Sequence, residues 1–121
     1  MKVMKKHELI TDELIESTIV EKNILLNANH PFLVGMNYVF QTEQEVCFVM
    51  RLVRGGELFS YLREANRFKE PQAQFYIIQV ASALGHLHKH NIVYRDLKPE
   101  NVLMEENGYI CVADFGMVKV L

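Results

Sequence analysis

Runs of apolar residues predict two groups of strands, one in the first part of the chain and one near its end. Alternation with period two and short apolar runs between turn residues are typical of strands. The predicted strands cover residues 2–6, 36–41, 46–50, 102–104 and 109–112. The polar turn 42–45 joins the second and third strands. Asn107-Gly108 joins the last two, because Asn-Gly is a strong hairpin signal. Two antiparallel hairpins are therefore expected.

The first predicted helix carries a carboxylate on or beside its apolar side. Thr11 can cap this helix, and His30-Pro31 ends it, because the residue before a proline avoids helical backbone angles. Its two rows at helical spacing are Leu14, Thr18, Glu21 and Leu25, and Ile15, Ile19 and Leu26. Removing the partner of a buried charge costs about 3–5 kcal/mol. Glu21 therefore either meets a cation or lies at a solvated edge of the helix, and the pattern leaves both open.

Two further helices are predicted over 57–63 and from Glu70-Pro71 to about residue 90. The longer one has two apolar rows, so we expect it to be buried over much of its surface. We expect Gly85, within it, to be tolerated because it allows close packing. The histidines at its end, His86, His88 and His90, follow one another at two-residue spacing, which divides them between faces and argues against a metal site. The residues 51–56 separate the strand-rich part from the helical part, and the fold class is α+β.

Composition narrows the class of protein. Half of the 121 residues are hydrophobic, and the net charge is -2, which gives no electrostatic reason to expect binding to nucleic acid or to an anionic membrane. Cys47 and Cys111 lie in apolar runs, so we expect buried free thiols and an intracellular setting, in the cytoplasm or the nucleus. The first residues lack the apolar region of a signal peptide, and no apolar run is long enough to cross a bilayer.

The polar segment Y-R-D-L-K-P-E-N, residues 94–101, lies between apolar runs and is followed by D-F-G at 114–116. Together the two segments resemble the catalytic loop and the metal-binding D-F-G of a protein kinase. Tyr94 stands where histidine is usual. A tyrosine at this position is common in the AGC group of serine/threonine kinases, which the resemblance therefore favours. Within that group the chain is most similar to the ribosomal S6 kinases and protein kinase B.

The resemblance implies part of a bilobal kinase fold. Residues 1–50 correspond to the remainder of the N-lobe, 51–56 to the hinge, and 57–121 to the start of the C-lobe. A complete kinase domain is roughly twice this length, and no Gly-rich loop precedes Lys2. We therefore expect a middle segment of such a domain, with little or no turnover by the 121 residues alone.

The resemblance assigns the chemistry to four polar residues. Asp96 would orient the substrate hydroxyl and accept its proton, and Lys98 would hold the moving phosphate. Asn101 and Asp114 would bind Mg²⁺ against the phosphates of ATP. A carboxylate beside the acceptor hydroxyl cannot also be a tight metal ligand, so two separate aspartates are reasonable.

The same resemblance implies a nucleotide site. Lys2 would bind phosphate and pair with Glu21; the alternative is a solvated terminal lysine. Met50 matches the gatekeeper, Arg51 to Val53 the hinge that bonds adenine through its backbone, and Leu103 the apolar floor. Arg51 departs from the acidic residue often found there.

Glu57 and Glu100 match acidic positions that select substrates with basic residues near the phosphorylated serine or threonine, and Glu57 also matches a contact to ribose. Ordinary helix-start and loop glutamates would look the same. Arg95 resembles the arginine that receives an activation-loop phosphate, although that loop is not among these 121 residues, and an upstream activating kinase would add that phosphate. Leu25, Met36, Tyr94 and Phe115 match the apolar spine of an assembled kinase. A different class remains open, a non-catalytic kinase-like binding or scaffold protein, although such proteins usually lose one of the residues that are present here as Lys2, Asp96 and Asp114.

Overall fold

The computed structural model describes residues 1–121 and confirms the α+β class. Its helices are α1 (Asp12–Asn27), α2 (Leu58–Ala65) and α3 (Glu70–Lys89). Its strands are β1 (Lys2–Lys5), β2 (Met36–Gln41), β3 (Glu45–Met50), β4 (Ile92–Val93), β5 (Val102–Met104), β6 (Ile110–Val112) and β7 (Lys119–Val120). Short 3-10 turns cover Lys6–Glu8 and Pro99–Asn101.

The strands form three antiparallel sheets. The first has the order β1-β3-β2, so β3 is its central strand, with Lys2 opposite Phe48 and Met36 opposite Met50. The other two sheets are the pairs β4-β7 and β5-β6. Both predicted hairpins form, and Gly108 supplies the positive φ of 84° that the turn of the second requires.

Helix α1 begins where the sequence predicts, because the Thr11 hydroxyl accepts a hydrogen bond from the Leu14 amide at 3.2 Å. Of its two predicted apolar rows, only the second half of the first row, Glu21 and Leu25, is buried. Only Glu21, Ile24 and Leu25 are buried, while Leu14, Ile15, Ile19 and Leu26 stay partly exposed. The inner face is therefore limited to the second half of the helix, and the carboxylate lies on it.

Helix α3 is less buried than its sequence predicts. Gln79, Val80, Ala83 and Leu87 face the core, but Phe75, Ile77 and Ile78 are exposed, because no other element of this chain covers that side. The prediction for Gly85 was also wrong, since a Cβ built there would meet no atom within 4 Å.

The main hydrophobic core connects the strand-rich part with the helical part. Ile24 and Leu25 of α1, Phe48 of β3, Leu87 of α3 and Val112 of β6 all belong to one buried cluster. A second cluster packs α2 and α3 against the β5-β6 hairpin. Because one core spans both parts, the region between residues 51 and 56 is a connection within a packed molecule. None of the helices has both the length and the hydropathy needed to cross a bilayer.

Candidate functional site

A cavity of about 320 Å³ opens between the three-stranded sheet, α1 and the β5-β6 hairpin. Seven residues of the predicted site line it: Lys2, Glu21, Met50, Arg51, Val53, Leu103 and Asp114. They come from β1, α1, the end of β3, the residues after β3, β5 and the segment after β6. Residues far apart in sequence therefore share one concave surface that is apolar on its walls and charged at one end.

The charged end is an ion pair between β1 and α1. Lys2 Nζ lies 2.8 Å from Glu21 Oε1, and the Glu21 side chain is only 5% exposed while Lys2 is 37% exposed. Of the two alternatives that the sequence left for Glu21, the paired one is correct. The lysine satisfies the buried carboxylate and keeps solvent-exposed surface toward the cavity.

The connection after β3, residues 51–56, is hydrogen-bonded to the β5-β6 hairpin. The Gly55 amide donates to the Met104 carbonyl at 2.9 Å, and the Met104 amide donates to the Gly56 carbonyl at 2.8 Å. A Cβ on Gly55 would lie 2.2 Å from that Met104 oxygen, so only glycine fits this approach. Arg51 Nη2 lies 2.7 Å from Glu105 Oε1, and this hydrogen bond raises the pKa of the Arg51 guanidinium.

The polar loop after β4 is held by its asparagine. Asn101 Nδ2 donates both to the backbone carbonyl of Asp96 and to its Oδ2, each at 2.9 Å. Lys98 Nζ lies 3.4 Å from the other carboxylate oxygen of Asp96. The Asp96 carboxylate is thus oriented from two sides within a loop of only six residues.

Tyr94 connects this loop to the D-F-G segment. Its phenol donates to the Ala113 carbonyl, and its ring packs edge-on against Phe115 with centroids 5.5 Å apart. Burial raises the pKa of Tyr94 well above its usual range, and the carboxylates of Asp114 and Asp96 add to the effect. The phenol therefore stays protonated, as a hydrogen-bond donor must.

Backbone strain occurs in the same two segments. Arg95 has φ 66° and Asp114 has φ 59°, in the left-handed region that residues other than glycine, asparagine and aspartate seldom adopt, so the strain is greater at Arg95. Such conformations persist where the surroundings enforce them, and they cluster at functional sites. Arg95 Nε also donates to the Met117 carbonyl at 2.7 Å, which ties the first strained residue to the chain beyond the second.

Four residues of the predicted site do not line the cavity. Asp96, Lys98 and Asn101 lie in the loop, and the Ala113 amide donates to the Asn101 carbonyl at 2.9 Å, next to Asp114. Glu57 is exposed at the start of α2, where its backbone bridges to Leu103. The structure thus brings the loop to the D-F-G end of the cavity. Glu57 is next to the cavity only through its backbone bridge to Leu103 of β5, which lines the cavity.

The four predicted spine residues Leu25, Met36, Tyr94 and Phe115 are all buried in the main core. Their exposed fractions lie between 0 and 7%, so they form part of the packing that joins the sheet to the loop. Simple core packing and a spine describe the same contacts, and both require these positions to be apolar or shielded.

Sequence reasoning missed two polar anchors of α3. Gln79 is buried; its Oε1 accepts from the Ile110 amide at 2.8 Å and its Nε2 donates to the Phe75 carbonyl at 3.0 Å. His86 and His90 share a face of the helix, with ring centroids 4.8 Å apart, and His30 lies 5.0 Å from His86. The four-residue spacing of His86 and His90, which places both on one face of a helix, was the available signal.

Comparison with protein families matches residues 1–121 to the protein kinase domain. The chain belongs to the protein kinase domain family. Among its relatives, protein kinase 2 of Dictyostelium discoideum is 47% identical over 119 residues, which cover 98% of this chain and 25% of the relative. Serine/threonine-protein kinase Sgk2 of Rattus norvegicus is 48% identical over 120 residues, covering 98% of this chain and 33% of the relative.

Serine/threonine-protein kinase Sgk1 of Danio rerio is likewise 48% identical over 120 residues, covering 28% of its own length. The kinase segment described here thus spans between a quarter and a third of the relatives it matches. All three relatives are protein kinases by name, and the two Sgk proteins are serine/threonine kinases by name, in agreement with the resemblance found in the sequence.

Proposed function

We propose that this segment is part of a serine/threonine protein kinase that transfers the γ-phosphoryl group of ATP, with Mg²⁺, to a serine or threonine hydroxyl of a protein substrate. The observation that carries the proposal is the bonding around Asn101. Its side chain orients the Asp96 carboxylate, and its backbone carbonyl binds the Ala113 amide next to Asp114. These contacts support the proposal because they hold Asp96, which would accept the proton, in a segment adjacent to Asp114, which would bind the metal and lines the cavity.

The donor atoms suit magnesium. The Asn101 amide uses its nitrogen on Asp96, so its oxygen stays free as a ligand, and Asp114 Oδ1 accepts only the Gly116 amide at 3.2 Å. No group of three or more His, Cys, Asp or Glu side chains is placed to hold a metal. Magnesium usually binds one or two protein oxygens together with substrate phosphates, so Asn101 and Asp114 fit it. When bound, the ion would neutralise the negative charge that the phosphates carry.

The other side chains would bind and orient the reactants. Lys2, held by Glu21, would bind phosphate oxygens at the charged end of the cavity. Met50 and the backbone from Arg51 to Val53 would contact adenine, and Leu103 would lie beneath it. Glu57 would contact the ribose or a basic substrate residue, and Glu100 would favour a basic residue as well.

In the loop, Asp96 would accept a hydrogen bond from the substrate hydroxyl and then its proton. Lys98, next to that carboxylate, would bind the phosphoryl group as it moves. We further propose an upstream activating kinase that would phosphorylate an activation loop, and the phosphate on that loop would bind Arg95. We also propose an intracellular setting, which the two buried free thiols support.

The proposal is tested in the full-length protein by radiolabelled phosphotransfer to a basic serine peptide. Because general-base catalysis contributes about 10²–10⁴-fold, Asp96→Asn should lower kcat by that factor and leave Mg·ATP affinity nearly unchanged. Asp114→Asn should weaken nucleotide binding when Mg²⁺ is present and have less effect without it. Asp12→Asn, an exposed change in the first turn of α1, is the control and should keep full activity.

Equal turnover by the wild-type protein and Asp96→Asn would contradict the proposal. ATP binding without any turnover by the wild-type protein would instead favour a non-catalytic binding protein. The 121-residue polypeptide alone should show little turnover, and robust Asp96-dependent activity there would refute that expectation.

A further inference from the structure

The pair Arg51–Glu105 sits where the cavity meets the β5-β6 hairpin. Arg51 lines the cavity together with Leu52 and Val53, and its side chain turns away to Glu105 at 2.7 Å. The two side chains are 39% and 21% exposed, so water screens the pair only in part. A charge-assisted hydrogen bond at this distance is among the stronger contacts available to a partly exposed group.

The glutamate end of this pair is rigid. The Glu105 amide donates to the Tyr109 carbonyl at 2.8 Å, and its carbonyl accepts from the Gly108 amide at 3.0 Å, which closes the hairpin turn. One residue earlier, Met104 exchanges backbone hydrogen bonds with Gly55 and Gly56. Glu105 is therefore a fixed point against which Arg51 can be held, while the residues between Arg51 and Gly55 have no such backbone bonds.

We propose that Glu105 is a positioning residue for the nucleotide site, acting through Arg51. The ion pair fixes the start of the 51–55 connection and the backbone bonds to Met104 fix its end. Leu52 and Val53, between the two fixed points, then offer their amide and carbonyl groups to the cavity in one conformation. A ligand that bonds this backbone loses less conformational freedom on binding. The consequence for adenine rests on the proposed function.

A neighbouring pair serves as a matched control. Arg54 Nη1 and Glu106 Oε1 are 3.7 Å apart, and both side chains are about 70% exposed, at 69% and 73%. Exposed pairs of this kind contribute little. Glu106 is next to Glu105 in the same turn, so Glu106→Ala removes an equal charge from the hairpin without touching Arg51.

The experiment compares Arg51→Ala, Glu105→Ala, the double variant and the charge swap Arg51→Glu with Glu105→Arg in the full-length protein. Hydrogen exchange of the Gly55 and Met104 amides, which both donate backbone hydrogen bonds, is measured without ligand. KM for ATP and kcat are measured separately. Each single variant should speed exchange and raise KM by about threefold to tenfold, with kcat nearly unchanged. The double variant should be no worse than either single one, because they share one interaction.

The charge swap should recover slow exchange and low KM, and Glu106→Ala should match the wild type. Additive effects of the two single variants, or exchange as slow in Glu105→Ala as in the wild type, would overturn the proposal. A wild-type protein that binds no ATP would contradict the proposed function instead, and the exchange data would still decide whether Glu105 holds the connection.

Discussion

Single side chains set the geometry of this site by bonding to partners that are fully or partly shielded from water. Glu21 requires a cation because it is buried; the apolar helical row showed that a cation or a solvated edge was needed, and only the structure decides between them. The bond from Tyr94 to the Ala113 carbonyl could not, because the same residue pattern is compatible with a tyrosine that only packs. The Arg51–Glu105 pair could not be predicted from the sequence either, since charged residues in turns have many alternative partners.

Tyr94→Phe should lower the free energy of unfolding of the protein by about 1–2 kcal/mol, because it leaves the Ala113 carbonyl without its partner in a buried setting. Urea unfolding followed by circular dichroism measures this loss. Tyr109→Phe is the control, since Tyr109 is 45% exposed and its hydroxyl makes no hydrogen bond within the chain. A surface change of that kind should stay within about 0.5 kcal/mol. Equal losses in the two variants would show that the Tyr94 hydroxyl contributes nothing specific.

Whole elements were the most predictable feature, because caps, prolines and turn residues act locally. The Thr11 cap, Pro71 in the first turn of α3 and Asn107-Gly108 all lie where the sequence places them. Which face of a helix is buried depends on the neighbouring elements. For that reason only half of the first predicted row of α1 is buried, the second row of α1 is exposed, and α3 is less buried than predicted. Gln79 was missed, since a glutamine is seldom found fully buried.

The two glycines Gly85 and Gly55 give opposite predictions. Gly85→Ala should raise the free energy of unfolding by about 0.5–1 kcal/mol, because alanine has less freedom to lose in a helix and its Cβ meets nothing. Gly55→Ala should lower it by about 1–3 kcal/mol, because its Cβ would collide with the Met104 carbonyl. Thermal and urea unfolding of both variants measure these changes. Loss of stability in Gly85→Ala would mean that α3 has a packing constraint near Gly85 that the structure does not contain.

For the molecule as a whole, the contact between the segment after α1 and helix α3 joins the strand-rich part to the helical part. The Phe32 amide donates to His30 Nδ1 at 3.1 Å, so His30 Nε2 carries the proton and donates to Ser82 at 3.2 Å. The bond from the Phe32 amide needs a neutral ring, because a protonated Nδ1 cannot accept a hydrogen bond. Burial lowers the pKa of His30, and the nearby His86 lowers it further.

Stability should therefore depend on pH through His30. The unfolded chain takes up a proton near pH 6.5, whereas the folded chain resists it until a lower pH. The free energy of unfolding should fall as pH decreases from 7.5 through 6.5. Urea unfolding between pH 7.5 and 5.5 measures the slope. His30→Asn keeps an acceptor for the Phe32 amide and cannot titrate, so its slope should be flatter.

The control is His88→Asn, at an exposed position on α3, and it should keep the wild-type slope. A slope that is identical in His30→Asn and the wild type would assign the pH dependence to other groups.

The pairing of β4 with β7 has a consequence for the order of folding. The Leu121 amide donates to the Asn91 carbonyl at 2.8 Å next to this strand pair. The polar loop, the β5-β6 hairpin and the D-F-G segment all belong to the chain segment between the two paired strands. The inner hairpin joins near neighbours and can form early. The pairing of β4 with β7 joins residues that are farther apart in sequence, and chain entropy is lost before these contacts form. We therefore expect this pairing to form later than the hairpin. The residues proposed for chemistry should thus reach their final arrangement after the scaffold around them has formed.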